Sequence, residues 1–336
     1  MSVHPFGRLA DGTEISEIRL TNAAGATASI LTFGAALRDL VVPVSAGPRR
    51  VVLGYRDLDG YLDNRRFIGV TVGRHASRIA HGRVTLDGVT HQLSLNDGPH
   101  HLHGGRNGFW RKPWTIVSVD ETSVTLALDS PDGDEGYPGK LDVTCTYRLL
   151  EPATIAIEMT ATTDAPTIVS LAHHSYFNLT PGKPIRDHVL QVDADRIVPF
   201  GPDMLPSGDL TPVAGTPYDF RSPHALAEGV APEFSYDCCF VLNRTGDGPV
   251  HAARLTAPQG SVALDVATTE PCLVLYDGAG LGGDRVGLDG APHGPHAGLC
   301  LEPMRFPDNP NQPTFPSARL DPGETYRQVT EYRFTV

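Results

Sequence analysis

Alternation of apolar and polar side chains at period two runs through this chain from end to end. In Leu141–Leu149, Leu141, Val143, Cys145, Tyr147 and Leu149 share one face, while Asp142, Thr144, Thr146 and Arg148 share the other. Val124, Leu126 and Leu128 repeat the pattern, as do Ile155, Ile157 and Met159, and then Val262, Leu264 and Val266. Successive side chains of a strand point to opposite faces, so these runs are half-buried strands of antiparallel sheets. Turn signals punctuate them: Asp87-Gly88, Asp97-Gly98-Pro99, Asp132-Gly133 and Gly246-Asp247-Gly248. Helical signals are few. Ser222-Pro223, then His224–Glu228 and Gly229, offers an N-cap, a first-turn proline and a terminal glycine, which predicts one or two helical turns. Asp57–Leu62 predicts another. The alternating helices of a βαβ protein are missing from the pattern. The expected fold is all-β, a large antiparallel β-sandwich with few short helices.

A chain of 336 residues buries a large core, and no repeat, low-complexity tract or composition shift divides it. One domain over residues 1–336 is the expectation. Proline and glycine gather in two long loops, Phe200–Phe220 and Pro303–Pro316. Loops of that length in a compact domain usually line or cover a site.

The net charge of −12 argues against nucleic acid and anionic membrane surfaces, both of which attract basic patches. It leaves small neutral ligands open and disfavours phosphorylated ones, unless a local arginine cluster holds them. No apolar stretch approaches the roughly 18–20 residues that span a bilayer. Met1 to Asp11 lacks the basic-then-apolar pattern of a signal peptide. Five scattered cysteines, Cys145, Cys238, Cys239, Cys272 and Cys300, form neither a disulfide framework nor a CxxC pair. The expectation is a reduced, cytoplasmic protein, monomer or homodimer.

The densest chemistry lies in Ala172-His173-His174-Ser175-Tyr176-Phe177-Asn178-Leu179. Alternation lets only one of His173 and His174 face a given cleft, and imidazole is well poised for proton transfer near neutral pH. Three other places combine titratable groups with turns or strand ends: Gly73–Ile79, Asn96–Gly105 and Leu299-Cys300-Leu301-Glu302-Pro303. Taken singly, each has a bland reading. A histidine in a strand is more often a hydrogen-bonded core group than a catalyst. His100 and His101 read as loop surface, and Arg74 as a solvated charge or a partner for a carboxylate. Glu302 is the least bland, because an acid in an apolar strand is rarely buried without a partner. Asp237, between Tyr236 and two cysteines, is similar but weaker. His101 and His103 have the spacing of two metal ligands on one strand face, with Glu302 as a third. Against that, Gly104-Gly105 reads as a turn, and no metal is expected.

At these residues the chain resembles the aldose 1-epimerase (galactose mutarotase) family. The resemblance runs over nearly the whole length, through Leu31–Leu37, Val52–Tyr55, Gly73–Ile79, Asn96–Gly105, His174–Leu179, Tyr236-Asp237, Leu301-Glu302 and Phe306–Pro313. It implies a single large antiparallel β-sandwich. It also implies interconversion of the α and β anomers of a free monosaccharide, by acid–base ring opening and reclosure, without metal or nucleotide. The family's base falls on Glu302 and its acid on His174. His103 matches a second active-site histidine near the ring oxygen. Arg78 and Asp237 match residues that hold sugar hydroxyls, and Tyr176 is expected to line the same site. His173 is left as the structural partner. The chain departs from the family at Met304 and Val274, where glutamines are usual, and at Cys238, where His or Asn is usual. Part of the polar lining for hydroxyls is therefore replaced, so galactose is not assured and a pentose, deoxy sugar or ketose fits as well. The alternative is a sugar-binding β-sandwich that is non-catalytic or of altered specificity. A hexose 6-phosphate substrate would need basic residues beyond Arg78 near the cleft, such as Arg74, and the sequence does not place them.

Overall fold

A computed structural model describes residues 2–336. The alternating segments are strands, and the two largest sheets position the site. One has nine strands, running in space Thr115–Val119, Ser123–Ser130, Leu141–Leu150, Thr154–Thr163, Tyr326–Thr335, Ala263–Thr268, Val250–Thr256, Val189–Val192 and His224–Ala225. The other has six: Tyr176–Phe177, Leu299–Met304, Cys272–Tyr276, Asp237–Leu242, Ala194–Val198 and Thr211–Pro212. A five-stranded sheet spans Ser2–Arg8 to Gly47–Arg50. All the ladders within these sheets are antiparallel. Among the described residues, no helix is long and apolar enough to cross a membrane.

Alternation in the six-stranded sheet decides which side chains meet. Leu273, Leu275, Leu299, Leu301 and Phe240 turn to one face and join the apolar cluster of Leu264, Tyr332 and Phe334 from the nine-stranded sheet. Phe177 packs on Tyr332 with ring centroids 4.8 Å apart, and the Tyr332 hydroxyl donates to the Leu301 carbonyl at 3.0 Å. Each leucine fully buried here stabilises by about 1.5–3 kcal/mol. Cys239, Cys272, Val274, Cys300 and Met304 turn to the opposite face. Glu302, between Leu301 and Pro303, falls on that face by the same period.

Two sequence expectations for local structure separate here. Asp57–Leu62 forms a short helix, Leu58–Leu62, whose Asp57 cap accepts from the Gly60 amide at 3.1 Å. The helix expected over His224–Glu228 does not form. His224-Ala225 instead pairs with Val189-Leu190 at the edge of the large sheet, and the His224 ring stacks on Phe220 at 4.5 Å. An unpaired sheet edge and an aromatic neighbour outweigh a capping signal that only tertiary packing could have extended. Asp87 and Gly88, at φ +50° and +80°, close a tight hairpin between Arg83–Leu86 and Val89–Gln92.

Burial leaves many histidines uncharged. It pushes His75, His101 and His188 down to about 4 and His173 to about 3. His103, His174 and His293 are lowered for the same reason. The carboxyls of Asp237, Glu270, Glu302 and Asp308 are raised by burial and oppose them. A histidine with a depressed folded pKa takes up its proton first in the unfolded chain. It therefore removes stability as pH falls from about 6.5 toward 4. The raised carboxyls add stability over part of that window but are fewer. The expected result is a Tm that falls steadily between pH 7 and 4.5, with net proton uptake on unfolding; a Tm that rises on acidification contradicts it.

Candidate active site

Strand alternation and three loops bring the expected residues to one cleft of about 770 Å³. Arg78, His103, His174, Tyr176, Asp237 and Glu302 all line it, with Val274 and Met304 among them. The floor is the outer face of the six-stranded sheet, where Val274 pairs with Glu302 and Asp237 with Tyr276.

The run containing the paired histidines is not one strand. Thr167-Ile168, Ala172-His173 and Tyr176-Phe177 each pair with a different partner. Alternation still separates the two imidazoles. His173 faces inward, its Nε2 2.7 Å from the Ser175 hydroxyl and its Nδ1 3.3 Å from the Tyr147 hydroxyl. His174 faces the cleft with its amide donating to the Val70 carbonyl at 2.9 Å. Its Nδ1 lies 3.4 Å from the Cys300 sulfur, which leaves Nε2 turned to Glu302 Oε1 at 3.6 Å.

Glu302 is 2% exposed, and its second oxygen, Oε2, is buried with no hydrogen-bond partner among the described residues. Burial, then the charge of Asp237, pushes its carboxyl well above the usual carboxylate range. Burial pushes His174 down to about 4. Burial thus disfavours the charged form of each group.

His103 has φ +50°, which turns it out of register with His101. Its Nδ1 accepts from the Ser77 amide at 3.1 Å, so the ring proton sits on Nε2, a donor. Burial, then the neighbouring charges of His174 and Arg78, holds it neutral. Arg78 gives Nε to Asp97 Oδ2 at 2.7 Å. Asp237 is pushed up to about 6 by burial, with Arg78 pulling the other way. The Tyr176 hydroxyl is taken by the Arg66 carbonyl at 2.9 Å, so that residue presents its ring. The proline-rich loop locks the arginine segment from behind. The Asp308 amide donates to the Arg78 carbonyl at 3.0 Å, its carboxylate accepts from the Ala80 amide at 2.9 Å, and Asn309 Oδ1 meets His75 Nε2 at 3.0 Å.

Comparison with known proteins fits this geometry. The profile of the aldose 1-epimerase family matches residues 16–333. The chain belongs to the aldose 1-epimerase family. It is 38% identical over 338 residues to the aldose 1-epimerase of Escherichia coli K12, covering 96% of each. To the galactose mutarotase of Sus scrofa it is 37% identical, over 98% of this chain and 97% of that one. An aldose epimerase homologue from C. elegans superposes with a TM-score of 0.90 at 31% identity, over 95% of this chain and 98% of that one.

Several expectations about individual residues are corrected within this aldose 1-epimerase fold. His100 and His101 are buried rather than loop surface. The His101 ring spans Tyr137 and the Ser94 carbonyl, both at 2.7 Å, so it cannot join His103 and Glu302 around a metal. Among the described residues, the groups with metal-ligand spacing are His174, Cys300 and Glu302, within 4.8 Å of one another. Arg74 is neither solvated nor paired with a carboxylate; it is 1% exposed and bonds backbone carbonyls. Residues that motif reading passed over also line the cleft: Phe67, Trp110, Phe200 and Tyr276, and four arginines, Arg65, Arg66, Arg106 and Arg111. Phe67 packs on His103, Trp110 and His174 with ring centroids 4.6, 5.0 and 5.6 Å apart. Its signal was slight, an aromatic after a basic pair in a loop.

Proposed function

We propose that this protein interconverts the α and β anomers of a free monosaccharide, with Glu302 as base and His174 as acid. The observation that carries this reading is the buried, unpartnered Glu302 Oε2 beside His174 Nε2. A carboxylate oxygen without a protein partner costs free energy unless a ligand supplies a donor, and an anomeric hydroxyl is such a donor. The names of the relatives point the same way.

Proton transfer then balances within the pair when it starts from an ionised Glu302 and a protonated His174, which hold one titratable proton between them. Glu302 Oε2 takes the C1 hydroxyl proton as the C1 carbonyl forms and the bond from C1 to the ring oxygen breaks. His174 Nε2 delivers its proton to the ring oxygen. The C1–C2 bond rotates, the freed hydroxyl attacks the other carbonyl face, and both protons return. The pair carries one proton throughout, so the rate follows a plateau bounded by its two macroscopic pKa values. His103 Nε2–H supports the ring oxygen, and Arg78 with Asp237 holds hydroxyls. The site serves a small neutral reacting centre and needs no resident metal in this scheme. Five free, buried cysteines support a reducing cytoplasm.

Val274 and Met304, 7% and 1% exposed, give the floor an apolar stretch beside Glu302. A hydroxyl directed there has no polar partner, so the preferred sugar lacks one at that position. The test is anomer exchange by NMR across glucose, galactose, xylose, arabinose and 2-deoxyglucose. Acceleration over buffer for at least one sugar is expected, with galactose not the best. No exchange with any sugar, alongside measurable binding, supports the non-catalytic reading instead.

A further inference from the structure

Glu302 depends on its backbone for its position. Its Oε2 has no hydrogen-bond partner among the described residues, and its Oε1 meets only His174 Nε2, at 3.6 Å. The strand that carries it, Leu299–Met304, lies between Tyr176–Phe177 and Cys272–Tyr276. Tyr176–Phe177 is short and pairs only with Cys300 and Leu299. The Tyr176 carbonyl is turned away from that ladder, to the Leu53 amide at 2.9 Å, which leaves Phe177 to bond Leu299. Backbone groups two positions apart on a strand point to the same edge. Leu301 and Pro303, on either side of Glu302, therefore turn their carbonyls to this edge. Among the described residues no strand continues the ladder there. Side chains take its place. The Tyr332 hydroxyl donates to the Leu301 carbonyl at 3.0 Å, and Gln328 Nε2 donates to the Pro303 carbonyl at 2.8 Å. Both side chains come from one face of Tyr326–Thr335. The proline fits such an edge, where its missing N–H breaks no ladder.

Gln328 is 1% exposed, and the bland reading of a buried glutamine is that it fills a polar gap in the core. Its bonds take it further. A carbonyl only accepts, so the Pro303 oxygen fixes the amide with Nε2 toward it and Oε1 toward Tyr326. Oε1 lies 3.2 Å from the Tyr326 hydroxyl, which has Glu270 Oε1 at 3.4 Å as a second acceptor. That hydroxyl itself accepts from the Leu171 amide at 3.2 Å. Leu171 stands three residues before His174. One chain of hydrogen bonds thus joins the segment of His174 to the strand of Glu302. Neither Gln328 nor Tyr332 lines the cleft, so both reach the chemistry only through the main chain.

We propose that Gln328 and Tyr332 are positioning residues for the anomer exchange. They fix the backbone on both sides of Glu302 and so set where Oε2 stands relative to C1 of the sugar. This rests on the reading of Glu302 as the base. A displacement of about 1 Å at a reacting group costs about 10²-fold in rate. A carboxylate without hydrogen bonds of its own has no other polar restraint against it. Sugar hydroxyls are held elsewhere, by Arg78 and Asp237, so loss of the restraint falls on kcat rather than on KM.

The test is anomer exchange by NMR with Q328M and Y332F, each measured well below its Tm. Methionine keeps the volume of Gln328 and removes the donor, and phenylalanine keeps the ring of Tyr332. Q328M should lower kcat by about 10–100-fold with KM within about twofold of wild type, and Y332F should lower kcat by about 3–10-fold. In a Glu302→Gln background neither substitution should lower the residual rate further, because the group they place is gone. A purely structural role gives a different result: a lower Tm with kcat unchanged, or an equal loss with and without Glu302. Either one overturns the proposal. Should Q328M not fold, Y332F decides, and an unchanged kcat there overturns it as well. A wild-type protein that exchanges no sugar sinks the mutarotase reading and this proposal with it. An active wild type beside indifferent variants sinks the proposal alone.

Discussion

Glu302→Gln lowers kcat for anomer exchange by about 10³-fold or more while the protein stays folded. The substitution keeps the shape of a side chain that is 2% exposed, and it removes only the proton acceptor. The stability change has the opposite sign from most core substitutions. Burial raises the Glu302 carboxyl well above its ordinary range, so the folded protein holds that proton more tightly than the unfolded chain does. Such a group takes stability away as pH rises above the usual carboxylate pKa. Glu302→Gln is therefore expected to leave Tm at pH 8 unchanged or higher, and loss of activity with gain of stability is the signature of a group kept for function. His174→Asn should lower kcat by a similar factor. The double variant should be little slower than either single one, because the two groups move one proton between them. A Glu302→Gln protein that retains a tenth of the wild-type rate, or a double variant whose losses multiply, removes Glu302 from the role of base.

How far the sequence foretold the site depends on what each residue needed. The face of Glu302 was legible because period-two alternation assigns it without knowledge of the neighbours, whereas alternation left His173 and His174 open and the family resemblance selected His174. Leu299 and Leu301 had to go to the core, so Cys300, Glu302 and Met304 had to go to the cleft. The short helix at Leu58–Leu62 was legible for a local reason too, its Asp57 cap. The misread residues are those whose environment comes from distant chain. His101 reads as loop because Gly104-Gly105 follows it, but Tyr137, from a loop more than thirty positions later, covers it. His224–Glu228 reads as helix because its caps are local, while the sheet edge that claims it is not. The arginines lining the cleft had no pattern to announce them. Arg65, Arg66, Arg106 and Arg111 read as ordinary surface residues until their two segments meet around the cleft.

Arg74→Met is expected to be the most destabilising of the substitutions considered, by about 3–5 kcal/mol in denaturant unfolding. In sequence Arg74 is one of twenty-seven lysines and arginines. In the fold its guanidinium is 1% exposed and reaches Ser130 Oγ at 2.9 Å. It also donates to the carbonyls of Ser130 and Pro131, both at 2.9 Å, of Pro138 at 3.0 Å and of Gly139 at 2.8 Å. Burial lowers its pKa from the ordinary value, with Asp134 the largest opposing charge. Methionine fills much of the volume but satisfies none of those oxygens, so the cost is that of orphaned carbonyls rather than of a cavity. Arg74→Lys should recover little, because a single ammonium cannot present the planar fork that meets four carbonyls at once. Activity should fall with stability for a geometric reason. The Arg74 carbonyl accepts from the Ser170 amide at 2.9 Å, and four residues further on Arg78 reaches the cleft beside His103. Loosening the Ser130–Gly139 turn therefore frees the segment that carries Arg78, and KM should rise more than kcat falls, since Glu302 and His174 belong to other segments. A loss under 1 kcal/mol for Arg74→Met would mean that water satisfies the four carbonyls, and that the buried guanidinium does not hold the arginine segment in place.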